Sequence, residues 1–401
     1  MNRVLIIGAG AVGQATAVKC AMNKDIFHEI ILASRTIQKC EKIRDFIKNK
    51  YNVEIKIDEV DADYTENVVK LINKYQPQLV INLALPYQDL AIMEACLQTK
   101  VSYMDTASYE PKDTPLYSYE YQWKYHDDYK KAGIVGILGC GFDPGTTQAF
   151  VAYAAKHHFD EIHYLDIVDC NAGNHGLPFA TNFNPEVNLR EITQNGRYYE
   201  NGKLIETKPL ELMKELTFPN IGKRKAYLMY HEELESLVKN FPTIKRARFW
   251  MTFTDQYLTH LNVLKNVGMT SHIPIKIKGV EISPLEFLKE VLPKPAELGP
   301  NYKGYTSIGC RIRGIKDNKE RTYYIYNNCS HEIAYQETGT QAIAYTTGVS
   351  ATTGAIMFFK GIWNIPGVWN VEQLDPDNYL NELSKQGLPW NEVFDIDLEV
   401  D

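Results

Sequence analysis

Several marks of well-known protein classes are missing from this 401-residue chain. Its seven cysteines (Cys20, Cys40, Cys96, Cys140, Cys170, Cys310 and Cys329) are odd in number and far apart, without a Cys-x-x-Cys pair. That argues against a disulfide framework or a zinc site, so no metal is expected, and it suits a reducing cytoplasm. The formal net charge of -7 is spread along the chain rather than concentrated in a tail. Nucleic acid is therefore not an expected partner, because phosphate neutralisation needs Lys and Arg gathered on one face. A Leu- and Ile-rich span is absent too. Residues 338–359 carry no charge and have the length to cross a bilayer, but they read TGTQAIAYTTGVSATTGAIMFF. So many Thr, Gly and Ser predict a buried helix of small residues, and no membrane contact is expected. The start, MNRVLIIGAG, opens directly on a strand without the apolar length and cleavage site of a signal peptide, so a cytoplasmic protein is expected.

What is present begins at that same strand. Val4-Leu5-Ile6-Ile7 is followed by Gly8-Ala9-Gly10-Ala11-Val12-Gly13, a helical stretch to Met22, and a second apolar strand at 29–33. In such a βαβ unit the first glycine permits a tight turn and the second lets phosphates approach the backbone. The third brings helix and strand close together. The free N–H groups at the start of the helix then face a pyrophosphate. Apolar strands at 53–60, 79–83, 102–105 and 134–138 alternate with helices at 36–50, 66–74 and 90–98. This alternation predicts a parallel, doubly wound Rossmann sheet over residues 1–144.

After Gly145 the texture changes. Tyr and Asn become frequent, and strands are expected at 161–168, 246–254, 305–315 and 321–327, with helices at 259–267 and 283–291. Asn201-Gly202 between strand-like residues predicts a hairpin. Residues 145–334 thus read as an inserted α+β substrate domain, and 335–401 as a C-terminal return of helices that completes the Rossmann domain.

Cofactor choice is decided after the second strand. An NAD enzyme places Asp or Glu there for the ribose 2′-hydroxyl. This chain has Ser34-Arg35-Thr36 instead: no acid, one guanidinium and two hydroxyls, an anion site suited to the 2′-phosphate of NADP. The plain alternative is a solvated Arg35 opening a helix capped by Ser34. The expected NADPH site comprises Gly8, Gly10, Ala11, Val12 and Gly13 with Ser34, Arg35 and Thr36. Asp61 and Asp63 after the third strand join it, as do Asn82, Leu83, Ala84 and Pro86 after the fourth, and Tyr103 and Thr106 around the fifth.

The run Gly139-Cys-Gly-Phe-Asp-Pro-Gly145 resembles the saccharopine reductase superfamily. The likeness continues through 169–175 (DCNAGNH), 180–186 (ATNFNPE) and 345–349 (YTTGV). Residues 182–191 (NFNPEVNLRE), 230–233 (YHEE) and 336–345 (QETGTQAIAY) are similar to its carboxynorspermidine synthase branch. That resemblance implies an NADPH-dependent condensation of L-aspartate β-semialdehyde with 1,3-diaminopropane or putrescine. An imine forms and is reduced, in a protein that is commonly a homodimer. Two rivals share the cofactor loop: saccharopine reductase or another opine-type reductase, and a catalytically idle NADP(H) sensor.

The chemistry needs a neutral amine, an acid to expel water, a carboxylate for the distal ammonium and a cation for the amino-acid end. Candidates for catalysis are Asp105 at a strand end, Asp143 in the Gly-Phe-Asp-Pro-Gly turn, His175 in a glycine-flanked loop and Glu232. Candidates for substrate binding are Asn171, Asn184, Arg190 (for the carboxylate), His231 and Glu233. Each has a plainer reading. Asp105 and Asp143 could be turn residues, His175 a solvated loop histidine, and Arg190 an ion-pair partner of Glu186 one turn away. Residues 231–233 could be an exposed helix start. Cys140 is read as packing.

Overall fold

The structure is a computed structural model that describes residues 1–111 and 117–400. Its first half runs β1 (Arg3–Ile7), α1 (Ala11–Met22), β2 (Glu29–Ser34), α2 (Ile37–Tyr51), β3 (Lys56–Glu59) and α3 (Thr65–Tyr75). It continues through β4 (Leu79–Asn82), α4 (Asp89–Thr99), β5 (Ser102–Asp105), short helices α5 (Glu120–Trp123) and α6 (His126–Ala132), and β6 (Val135–Leu138). The strands are apolar almost throughout because helices cover both faces of the sheet they form; Val4, Leu5, Ile6 and Ile7 are all buried.

Helix α7 (Thr146–His157) leads into the second half. There β7 (Glu161–Asn171), α8 (Pro185–Thr193), β8 (Gly196–Glu200), β9 (Lys203–Thr207), β10 (Met213–Phe218) and β11 (Gly222–Met229) follow. Next come α9 (Glu233–Asn240), β12 (Arg246–Thr252), α10 (Asp255–Asn266), β13 (Ile275–Ile277), β14 (Val280–Ile282), α11 (Pro284–Val291), β15 (Tyr305–Lys316) and β16 (Lys319–Ser330). The chain closes with α12 (His331–Thr338), α13 (Ala342–Phe359), β17 (Gly367–Asn370), α14 (Pro376–Lys385) and β18 (Trp390–Phe394).

The first sheet is parallel, in the order β17-β6-β5-β4-β1-β2-β3. Its connections reverse direction between β1 and β4, and a crevice opens there at the carboxyl ends of the strands. The second sheet is mixed and nine-stranded, centred on β7, which pairs parallel with β12 and antiparallel with β15. The Asn-Gly hairpin joins β8 to β9, with φ of 49° at Asn201 and 73° at Gly202, as a two-residue turn of positive φ requires.

Three expectations need correction. The third strand spans four residues rather than eight. The uncharged stretch from 338 starts as a helix only at Ala342: Thr338 is the last residue of α12, Gly339 ends that helix in the left-handed conformation (φ 72°), and the Gln341 side chain accepts from the N–H groups of Ile343 and Ala344 to start α13. The C-terminal region supplies strands as well as helices. Short β17 (Gly-Val-Trp-Asn) extends the first sheet, whereas β18 pairs with β16 in the second.

Helix α13 is long and apolar enough to cross a membrane, but 83% of it is buried inside the protein. Its threonines are satisfied within the helix: Thr352 and Thr353 each donate to the carbonyl four residues back, at 2.8 Å. Small residues let it lie close against α1. A Cβ on Gly348 would stand 2.6 Å from the Ala15 Cβ and 3.0 Å from the Thr16 nitrogen. Alanine in place of glycine favours an exposed helix by about 1 kcal/mol, while overpacking costs roughly 1–3 kcal/mol. Gly348→Ala is therefore expected to lower the thermal unfolding midpoint despite its better helix propensity. An unchanged or raised midpoint would contradict this reading of the contact.

Candidate active site

The glycine loop has the shape a dinucleotide needs. Gly8 sits at φ 119°, and a side chain there would collide with the Leu83 carbonyl; one on Gly13 would collide with the Gly8 carbonyl. Gly10 is different: it is exposed, and nothing lies within 4 Å of where its Cβ would be. That opening faces the start of α1, where Ala11 and Val12 are half-buried and carry N–H groups without helix partners. A pyrophosphate fits there.

At the end of β2, the Arg35 side chain is 54% exposed, and its guanidinium lies 3.8 Å from Asp63. Thr36, not Ser34, is the N-cap of α2, and its hydroxyl makes no cap bond; the Ser34 hydroxyl accepts from the Thr36 N–H. Asp61 accepts from the Asp63 N–H at 3.1 Å, and Asp63 also accepts from Gln88 at 2.7 Å. Asp63 is thus a counter-ion for Arg35, a role the sequence reading did not give it. Around the crevice, Leu83 donates its N–H to Ile7, Pro86 opens a short 3-10 turn, and Thr106 and Thr347 flank Gly141. Two of the expected cofactor contacts lie behind this rim. The Asn82 amide donates to Asp89 (2.8 Å) and Tyr103 (3.2 Å) and accepts from the Ala84 N–H (3.0 Å). Tyr103 is fully buried in the core beneath the sheet. Both side chains brace the 82–86 loop.

Beyond the crevice, several carboxyl groups converge on one histidine. The His231 ring stacks on Phe249 at 4.2 Å, and its Nδ1 is hydrogen-bonded to Glu233. Glu232 and Glu191 lie 3.6 Å from its two nitrogens. Burial alone would lower the His231 pKa, but Glu233, Glu232 and Glu191 together raise it well above the ordinary histidine value. These three carboxylates thus favour the protonated form of the buried ring. Glu232 also accepts from the Ser108 N–H at 3.2 Å, which ties the cluster to the end of β5.

The acids around it are held partly neutral. Burial pushes Glu191 up to about 8, Asp105 to about 7 and Asp169 to about 6, and it raises Asp143 and Glu232 as well. Charges of like sign reinforce this, Asp169 acting on Asp143 and Glu232 on Asp105. Asp105 is also tethered, accepting from the Gly139 N–H and the Gln122 amide, both at 2.6 Å. Such a group of carboxyls can accept a proton from an amine, return one to a leaving hydroxyl, and surround an organic cation. His231, Glu232 and Glu233 offer ligand atoms within 4.8 Å of one another. In the structure the Nδ1 of His231 is hydrogen-bonded to Glu233.

Of the residues singled out in the sequence, Asp143, His231, Glu232 and Glu233 belong to this cluster, with Asp105 beside it. The region 231–233 is buried, not an exposed helix start. The others make local contacts of their own. The Asn184 side chain caps α8 by accepting from Glu186 and Val187. Asn171 donates to Tyr302 (2.6 Å) and accepts from Gly173 and His331, a network that fixes loop 171–182 against the start of α13. The His175 ring lies edge-on to Tyr302, with burial lowering its pKa, and accepts from the Leu177 N–H. Arg190 pairs with buried Glu110 at 3.1 Å and with Glu186 at 3.9 Å. Asp169, Glu191 and Glu110 were not singled out. Asp169 heads the stretch DCNAGNH and Glu191 ends NFNPEVNLRE, so both lay inside the runs that carry the family likeness.

Glu191 gives this electrostatic picture a test. Its pKa is raised on folding, so the unfolded chain releases the proton first, and stability falls as pH rises from about 4.5 to about 8. Glu191→Gln, permanently neutral, is expected to be more stable than the parent at pH 8 in urea unfolding, with the gap closing towards pH 5. A gap independent of pH would refute the raised pKa.

The chain is similar to known proteins over both of its halves. A sequence profile of the saccharopine dehydrogenase NADP binding domain matches residues 4–137, and one of the saccharopine dehydrogenase C-terminal domain matches 141–388. The chain is 56% identical over 393 residues to a carboxyaminopropylagmatine dehydrogenase from Synechocystis, covering 98% of each protein. It is 47% identical to a carboxynorspermidine synthase from Vibrio cholerae, covering 97% of this chain and 96% of that one. A solved saccharopine dehydrogenase (L-Glu forming) from Saccharomyces cerevisiae superposes with a TM-score of 0.74 over 99% of this chain and 100% of that chain, at 14% identity, and so shares the fold. With profile matches on both halves and relatives this similar over nearly their whole length, the chain belongs to the saccharopine dehydrogenase-like family of NADP-dependent oxidoreductases.

Proposed function

We propose that this enzyme joins L-aspartate β-semialdehyde to agmatine and reduces the resulting imine with NADPH. The observation that carries the reading is the buried group of carboxyls around His231, set where the crevice meets the second sheet. It suits a cationic amine far better than glutamate, the amino acid in the printed name of the yeast protein. The choice of agmatine over the diamines expected from sequence rests on the 56% relative, whose name describes a carboxyaminopropyl group carried on agmatine. Reductive addition of a four-carbon amino-acid aldehyde to an amine leaves that same group. The relatives at 46–47% favour a second reading, with 1,3-diaminopropane or putrescine as the amine.

In this scheme the amine arrives protonated and must lose a proton before it attacks the aldehyde carbon. Asp143 and Asp169, whose carboxyls are raised towards neutrality, take that proton. The C–N bond forms, and the carbinolamine loses water when the same pair protonates its hydroxyl. NADPH supplies the hydride that reduces the iminium carbon. Overall, aldehyde, ammonium, NADPH and one proton give a secondary ammonium, water and NADP. Glu191 and Glu232 hold the distal cation, and Arg190, at the edge of the cleft, pairs with the carboxylate of the semialdehyde.

Oxidation of NADPH is expected with aspartate semialdehyde plus agmatine, and more slowly with putrescine or diaminopropane. Turnover only with glutamate and aminoadipate semialdehyde would overturn the proposal, and cofactor binding without turnover of any pair would favour a sensor. A separate measurement addresses the cofactor. A charge-assisted hydrogen bond contributes roughly 1.5–3 kcal/mol, so Arg35→Ala should cut the preference of kcat/KM for NADPH over NADH by about 10- to 100-fold. Equal efficiency with both cofactors in the parent enzyme would remove Arg35 from the 2′-phosphate site.

A further inference from the structure

We infer that Asp63 tempers the preference for NADPH by competing with its 2′-phosphate for Arg35. This rests on the reading of Arg35 as the 2′-phosphate site.

The end of β2 carries no acid of its own, yet the fold brings one to it. Strands β2 and β3 run parallel with Ser34 opposite Glu59, and the Val60 N–H donates to the Ser34 carbonyl at 3.2 Å. The loop after β3 therefore starts beside Ser34 and Arg35, and its Asp63 carboxylate lies 3.8 Å from the Arg35 guanidinium. The two partners are not equally free to move. One Asp63 oxygen accepts from the Gln88 amide at 2.7 Å, and the Asp63 N–H donates to Asp61 at 3.1 Å. Gln88 is itself buried, and its side-chain oxygen accepts from the Leu85 N–H at 3.3 Å. Arg35, in contrast, is more than half exposed and stands farther from Asp63 than a hydrogen bond spans.

This arrangement decides the sign of the effect. An exposed ion pair shifts an equilibrium by no more than about fivefold, so Asp63 does little to orient the guanidinium. An arriving phosphate monoester carries about 1.5 to 2 negative charges at neutral pH. Arg35 can turn towards it, but Asp63 is anchored and remains beside it as a like charge. NADH meets the same carboxylate differently. Its ribose 2′-hydroxyl is a donor, for which an acid is the usual partner in dinucleotide folds. Asp63 thus works against NADPH and not against NADH, a discrimination achieved by repulsion.

Fluorescence titration of the full-length protein with NADPH and with NADH tests the inference without any substrate. Asp63→Asn keeps an acceptor for Gln88 and removes the charge. It is expected to tighten NADPH about fivefold while NADH binds no tighter. An equal change for both cofactors, as a merely bracing role would give, would overturn the inference, and so would unchanged or weaker NADPH binding. Should that variant misfold by circular dichroism, Asp63→Ser is titrated in its place with the same expectation. Arg35→Ala separates this inference from the reading beneath it. Weakened NADPH binding there, with no selective gain in Asp63→Asn, would refute the role of Asp63 alone. Unchanged NADPH affinity in Arg35→Ala would overturn both.

Discussion

The close approach of α1 and α13 is the contact on which the rest of the architecture depends. Ala15 and Gly348 leave no room for another methyl group between the two helices. At its other end α1 begins at the glycine loop, so the helix that points at the cofactor is clamped by a segment more than three hundred residues later in the chain. Gln14 reaches the Thr338 carbonyl at 2.9 Å, and Lys19 pairs with Glu337 at 2.5 Å, which adds polar ties to the same contact. Because α13 also touches strands β15 and β16, the clamp holds the Rossmann unit against the mixed sheet. The crevice between them is a consequence of that packing.

Electrostatics explains why the crevice suits its proposed substrate. Six carboxyl groups in and around one buried region would repel each other if all were ionised. The acids favour a protonated His231, and burial in turn favours the neutral form of several of them. An incoming organic cation would relieve the same strain, so affinity for an amine and readiness to move protons come from a single arrangement. The cost is stability at alkaline pH in the empty protein, the usual compromise of a site built for function before rigidity.

The nucleotide half was largely legible in the sequence because its signals are local. Strand, glycine turn and helix follow one another within twenty residues, and each glycine answers a steric need inside that stretch. Arg35 stood out for the same reason, being the residue that follows the second strand. Its ion pair with Asp63 could not be foreseen, since nothing in the spacing shows that the loop after β3 turns back towards Arg35. Short β17 was missed because four residues, Gly-Val-Trp-Asn, carry too little periodicity to stand out. The break at Gly339 was missed because no charge interrupts the surrounding small residues.

The carboxyl cluster lies at the other extreme. Asp105, Asp143, Asp169, Glu191 and the 231–233 run come from a strand end, a turn, a strand, a helix and a helix start. Only the folding of the second sheet against the first gathers them. Asn171, Asn184 and His175 looked equally suitable in one dimension; in the structure the first two engage in local hydrogen bonds, and the third lies edge-on to Tyr302. The sequence by itself determined a dinucleotide loop, its fold class and the family, because those depend on short-range sterics and local order. The tertiary structure alone decided which acids meet, which are desolvated and which histidine they charge, because burial and proximity are properties of the packed chain.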